Sequence, residues 1–146
     1  MTEDAKKLAI LMGVPVLEAP GEAEAQCAEL VRSERAYAAA TEDMDARAFG
    51  ARILLRGFSS QKAPVTQIDL AETLDGFKMN MEQFVDLCIL CGCDFTGTIS
   101  GIGPARAFKF IQDVETIENV LDVVERENKD PAKRVKPNHL VLLTIH

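Results

Sequence analysis

Apolar positions along the chain keep a helical period at both ends of a stretch that alternates between helix-like and strand-like patterns. Ala5, Leu8, Ala9 and Met12 recur at three- and four-residue spacing, which predicts an amphipathic helix over residues 2–12. Gly13 is placed to cap it and Pro15 to stop it. Residues 14–17 read as a short apolar strand and residues 18–21 as a turn. A helix is expected from about residue 22 to 35, with Ala23, Cys27, Ala28, Leu30 and Val31 on its apolar face. Residues 36–40 run Ala-Tyr-Ala-Ala-Ala without alternation, which suits a strand buried on both faces of a parallel sheet. After Thr41-Glu42-Asp43-Met44-Asp45 comes a short helix ending at Phe49-Gly50. Residues 52–58 and 65–69 are further strand candidates, separated by a loop at 59–64, and a helix follows over 70–76.

Beyond residue 78 the strand–helix alternation ceases. Asn80 is placed as an N-cap and Gln83 as its reciprocal partner. The helix they open, 81–91, is apolar on most sides and should be deeply packed. Two more helices are expected, one over 105–113 and one capped by Thr116 with Ile117, Val120, Leu121 and Val124 on one face. Residues 126–138 read as a charged, proline-containing linker, and 139–146 as an apolar end segment. The expected fold class is therefore α/β. A partial, mostly parallel sheet flanked by helices fills residues 1–78, an all-helical part 79–125, and linker and end segment 126–146.

Charge changes this picture. The 146 residues carry a formal net charge of -7, whereas surfaces that bind nucleic acid in general are basic. Either nucleic acid is not the partner, or the acids act locally, for example on metal. Among the 4 cysteines, Cys88 and Cys91 form a C-x-x-C with no second pair, which argues against zinc and for reduced, buried, intracellular thiols. No apolar run is long enough to span a membrane, and no signal peptide is apparent.

The acids fall at strand ends and helix starts, where functional residues of α/β folds collect. Glu22 and Glu24 follow the first expected strand, Asp43 and Asp45 the second, and Asp94 the long apolar helix. Like charges this close repel unless a cation neutralises them, and hard oxygen donors suit Mg²⁺ or Mn²⁺. Any one of them alone reads better as a solvated helix cap, and only the five together favour metal. Close behind Asp94, Gly101-Ile102-Gly103-Pro104 leads straight into a helix. Glycines allow close backbone approach, Pro104 fits the first helical position, and a helix start favours phosphate, with Arg106 adding charge. The plainer reading of that segment is a tight turn between packed helices.

Four strings decide between these readings. They are A-P-G-E-A-E-A at 19–25, A-A-A-T-E-D-M-D at 38–45, Q-F-V-D-L-C-I-L-C-G-C-D-F at 83–95 and G-I-G-P-A-R-A at 101–107. In that order they resemble the flap endonuclease branch of the 5′-nuclease superfamily, the XPG/RAD2-like enzymes. The similarity runs over about residues 5–124.

The resemblance implies a structure-specific nuclease that cuts 5′ flaps, with 5′–3′ exonuclease action, in nuclear DNA replication and repair. It implies two divalent ions held by Glu22, Glu24, Asp43, Asp45 and Asp94. It also implies a helix–three-turn–helix that grips the duplex of branched or flap DNA through Thr98, Gly101, Ile102, Gly103 and Arg106. There K⁺ would sit at Thr98, Ile99 and Ile102. Family members usually carry a basic residue where Ser100 stands, and often one at Ala105, so duplex binding here is expected to be weaker.

In the family a strand with a metal-binding Asp, a second Asp and a basic arch precede the matched region. The chain is thus expected to be the middle of such an enzyme, weak or inactive by itself. A sliding clamp is a partner in the family, but its Gln-x-x-aliphatic-x-x-aromatic-aromatic box does not occur here. A sheet edge left bare by the missing strand would favour self-association. The rival readings are a duplex-binding module without catalysis and a fragment that only folds or pairs with a partner.

Overall fold

A computed structural model describes residues 3–58, 64–93, 99 and 101–128. The segments at 59–63 and 129–146, with most of the expected loop, linker and end segment, lie outside the described residues. The chain opens with α1 (Glu3–Leu11), which stops where Gly13 takes φ 75° and its N–H reaches Ile10 O at 3.0 Å. Helix α2 (Ala23–Arg32) follows, then β1 (Ala39–Ala40), the one-turn α3 (Asp45–Ala48), β2 (Ile53–Arg56) and β3 (Thr66–Asp69). Four helices complete the described chain: α4 (Leu70–Phe77), α5 (Met81–Cys91), α6 (Pro104–Val114) and α7 (Ile117–Asn128).

The sheet has three strands in the order β1-β2-β3. β1 runs parallel to β2 with Ala39 opposite Leu54, and β3 runs antiparallel to β2 with Ile53 opposite Asp69 and Arg56 opposite Thr66. The sheet is thus mixed, with its longer ladder antiparallel, rather than mostly parallel. The connection from β2 to β3 is too short for the helical crossover a parallel pair needs, so the chain folds back as a hairpin. Residues 14–17, expected as a strand, form none. Val14 and Leu17 are exposed, and a strand exists only where a ladder partner takes its N–H and C=O groups. The 36–40 strand shortens to two residues, of which Ala39 is buried and Ala40 exposed, so it is not covered on both faces. The apolar face of α1 is uncovered, and α1 has no buried residue.

Cap chemistry fixes the helix starts in the second half. Asp69 Oδ1 accepts from Ala71 N at 2.7 Å and Glu72 N at 3.3 Å, opening α4. Asn80 and Gln83 form the full capping box, with Gln83 N to Asn80 Oδ1 at 2.9 Å and Asn80 N to Gln83 Oε1 at 3.1 Å. Residues 126–128, expected as linker, extend α7 instead.

Two buried clusters result. The first joins Ala28, Val31, Ala39, Ala46, Ala51 and Leu54, from α2, the sheet and α3. The second packs Met79, Leu87, Leu90, Ile99, Ile102, Ala107, Ile111, Val120 and Val124, where α5, α6 and α7 meet. Phe77 ties α4 to the second half, its ring 6.3 Å from Phe84 and 5.6 Å from Phe108.

Candidate functional site

Glu22 is the N-cap residue of α2, in extended conformation, and its side chain makes no capping hydrogen bond. Its carboxylate is exposed, and Glu24 stands half-buried in the first turn of the same helix. Asp43 lies in the turn after β1. Its N–H donates to Thr41 Oγ1 at 3.0 Å, and its Oδ1 accepts from Asp45 N at 2.9 Å. That second bond is an Asx turn, which sets the entry into α3 at Asp45. Helix α2 packs on both β1 and α3, the two elements that the Asp43 turn connects. Hard carboxylate oxygens at a strand edge suit a hard divalent cation. Among the described residues, however, no group of three or more His, Cys, Asp or Glu side chains comes together closely enough to hold one. Asp94, the fifth expected ligand, lies outside the described residues.

The hairpin is partly described. Thr98 lies outside, while Ile99, Gly101, Ile102, Gly103 and Arg106 lie inside. Ile99 and Ile102 are buried in the second core, and Ile102 N donates to Ile99 O at 3.0 Å. Their side chains anchor the turn and leave backbone groups for any outward contact. Gly101 has φ 86°, a conformation that favours glycine. Gly103 is the N-cap of α6, Pro104 its first residue, and Gly103 O accepts from Ala107 N at 2.9 Å. Arg106 Nη1 donates to Gly101 O at 3.2 Å, and its guanidinium lies 5.1 Å from the Phe110 ring centroid. The arginine thus stiffens the turn at whose mouth it stands.

Several features near these sites carry no sequence signal. Arg47, on α3, is buried to 4% exposure, with its Nε unpartnered and Nη2 donating to Asp69 O at 3.4 Å. Burial lowers its pKa, opposed by Cys88 and Asp69, and its guanidinium lies 5.8 Å from the Phe84 centroid. Nothing in M-D-A-R-A-F marks that residue as interior. Burial pushes the Cys88 thiol up to about 11, with Cys91 and Asp45 adding to the effect. The thiol is therefore protonated and inert at neutral pH. The cysteines were expected to be buried. Cys27 is instead exposed on α2, and Cys88, Cys91 and Cys93 are half-buried. Asp86 does have a signal, a lone acid inside an apolar helix. Its Oδ2 accepts from Ile117 N at 2.9 Å, joining α5 to α7.

Comparison with known proteins gives the family. The family model described as the XPG I-region matches residues 13–94. The chain belongs to the XPG I-region family. The matched stretch contains Glu22, Glu24, Asp43 and Asp45 and ends on Asp94. This XPG I-region chain is similar to flap endonuclease 1-2 of Paramecium tetraurelia, at 51% identity over 145 residues, covering 99% of the chain and 36% of the relative. It therefore spans about a third of the length of the curated relatives it matches. Its fold matches the catalytic core of Rad2 in complex with DNA substrate, at TM-score 0.79 and 28% identity, covering 91% of this chain and 43% of that one. It also matches the Holliday junction-resolving enzyme GEN1 in complex with product DNA and Mg²⁺, at TM-score 0.69 and 29% identity, covering 96% of this chain and 38% of that one.

Proposed function

We propose that this XPG I-region chain is the acid- and hairpin-bearing part of a metal-dependent, structure-specific 5′-flap endonuclease and 5′–3′ exonuclease of nuclear DNA replication and repair. One observation carries the reading. The family-matched stretch encloses all five acids, and a hairpin shaped for backbone contact follows directly. Residues 1–78 supply most of the acids, and residues 79–125 supply Asp94 and the hairpin.

Glu22, Glu24, Asp43, Asp45 and Asp94 would hold Mg²⁺ or Mn²⁺. When bound, a pair of such ions about 3.5–4 Å apart activates water and stabilises the leaving oxygen of a phosphodiester. The chain's own residues do the placing. The Asx turn of Asp43 aims Asp45 along the start of α3. The uncommitted side chain of Glu22 keeps its oxygens available at the head of α2. Thr98, Gly101, Ile102, Gly103 and Arg106 meet duplex phosphates, with K⁺ at Thr98, Ile99 and Ile102. Contact to phosphate positions the duplex without reading its sequence. A sliding clamp is the further partner of the whole enzyme, and the outer edge of β1 favours self-association.

A second reading is a duplex-binding module without catalysis. It is favoured by the described acids not being drawn into one metal-holding group. Cleavage of a 5′-flap substrate decides between the two. The chain is fused to the segments of a relative that lie outside the matched region, and assayed in Mg²⁺ with an EDTA control. The nuclease reading expects Mg²⁺-dependent cutting that falls by roughly a hundredfold or more in Asp43→Asn, as one ion loses its hold. Cutting indifferent to Asp43→Asn and Asp45→Asn overturns it.

A further inference from the structure

Arg47 is the one buried polar or charged residue among the described residues, at 4% exposure. A buried ionic group is ordinarily paired and hydrogen-bonded. Arg47 has no ion pair among the described residues, and its buried Nε has no hydrogen-bond partner. The nearby Asp69 commits Oδ1 instead to the N–H groups of Ala71 and Glu72, which open α4. Arg47 Nη2 donates to Asp69 O at 3.4 Å, a long bond to a carbonyl that Thr73 Oγ1 already reaches at 2.7 Å. Its firmest contact is with an aromatic face, the guanidinium standing 5.8 Å from the Phe84 centroid. So poor a match costs folding free energy. A residue that breaks a local rule with no gain in stability points to function.

What the side chain achieves is geometric. Helix α3 is a single turn of four residues, and Asp45 is its first. So short a helix does not hold its own orientation and depends on tertiary packing. Ala46 packs into the first core, where its one methyl group offers little grip. Arg47 reaches instead to the end of β3 through Asp69 O and to α5 through Phe84. Arg47 N donates to Met44 O at 3.0 Å, and Gly50 N to Arg47 O at 2.9 Å, so the side chain and the turn move together. We propose that Arg47 is a positioning residue, which sets the rotation of α3 against α5 and with it the place of Asp45, without touching metal or substrate. The inference rests on the metal-dependent reading above and adds to it a residue that neither the acids nor the hairpin supplies.

The test uses the 146-residue chain with Mn²⁺ alone as the probe. Arg47→Met keeps a long, unbranched side chain and removes the charge and the fork. An apolar replacement of a buried charge is often neutral or stabilising, so this variant should melt at or above the parent without metal. Its Mn²⁺ affinity, read by electron paramagnetic resonance, should nevertheless fall roughly tenfold, as metal sites do when a supporting residue is lost. Hydrogen exchange over residues 41–48, measured without metal, should quicken while α6 is unchanged. Arg47→Lys keeps a cation for the Phe84 ring and should recover part of the affinity. If Arg47→Met binds Mn²⁺ as the parent does, the proposal is overturned and the nuclease reading stands. A loss of affinity that only tracks a lower melting temperature also overturns it, because that is a structural role alone. If the parent itself binds no Mn²⁺, the metal reading falls and the proposal for Asp45 falls with it, while the exchange data still show whether Arg47 holds α3.

Discussion

The two halves of the molecule bury different things. The first core, from Ala28 to Leu54, holds four alanines, one valine and one leucine, all at or below 3% exposure. The second, from Met79 to Val124, is built of larger side chains gathered from α5, α6 and α7. Leu8, Ile10, Leu11, Met12, Val14, Leu17, Tyr37, Met44, Phe49, Phe58, Val65 and Phe77 are the exposed large hydrophobics among the described residues, and every one precedes Lys78. So many exposed apolar groups signal a surface that is meant to be covered. Among the described residues the helical half leaves no large hydrophobic exposed, whereas the α/β half, which carries four of the five proposed acids, leaves many.

Core truncation should separate the halves most strongly. Ile111 is 0% exposed where α5, α6 and α7 meet, whereas Leu11 is 85% exposed on α1. Ile111→Ala should cost about 2–5 kcal/mol, since the closed helical packing cannot collapse into the gap. Leu11→Ala should stay within about 0.5 kcal/mol in urea denaturation. Equal losses would mean that α1 is packed in solution and that the contrast between halves is not real.

Metal should narrow the gap. If the acids assemble around Mn²⁺, the ion binds the folded α/β half only and stabilises it by about 2.7 kcal/mol at a hundredfold excess over its dissociation constant. Asp45→Asn should lose most of that gain. Hydrogen exchange followed by mass spectrometry places it, with slowed exchange in α2 and around residues 39–48 and little change in α6. A uniform response, or none, would detach the acids from metal.

What was legible in the sequence follows the same division. Helix α5 is found at its observed bounds because Asn80 and Gln83 announce the start and the apolar run fills one closed core. The acids' places after β1 and at the heads of α2 and α3 were also legible, because strand ends and helix starts carry turn chemistry. Residues 14–17 mislead because an apolar run encodes the wish to be buried, and a strand also needs a neighbour to pair with. The sheet's mixed sense is set by the short return from Gly57 to Thr66, which apolar period does not report. Arg47 was invisible for a related reason, since its burial comes from α3 meeting α5 far along the chain.

Helix caps offer a finer probe. Asp69 opens α4 beside the sheet, and Asn80 opens α5 beside the second core. Each cap replaced by Ala should cost about 0.5–2 kcal/mol. Asn80→Ala should sit toward the upper end, because it breaks both arms of a reciprocal box and loosens the helix on which the second core is built. Chemical denaturation of the two variants measures the difference, and a larger loss for Asp69→Ala would place the stability determinants in the sheet half.

The smallest effect comes from an ionisable seam between α5 and α7. Asp86 is half-buried, and burial raises its pKa above the ordinary aspartate value of 3.8, opposed by the Ile117 N–H and reinforced by Glu118 and Glu82. A carboxyl raised on folding binds its proton more tightly in the native state. Its ionisation therefore weakens the fold, with no penalty below the unfolded value and a penalty that grows as pH rises through the native one. Asp86→Asn removes that charge and leaves an amide oxygen to accept from Ile117 N, which Asp86 Oδ2 now does at 2.9 Å. The variant should melt slightly higher than the parent at pH 7, and the advantage should vanish as pH falls below about 4, where the parent's carboxyl is protonated in both states. Asp86→Ala should melt lower at every pH, because Ile117 N–H then loses its acceptor. If Asp86→Asn melts lower at pH 7 as well, the carboxylate's hydrogen bond outweighs its burial, and the second core depends on a charge that its packing otherwise opposes.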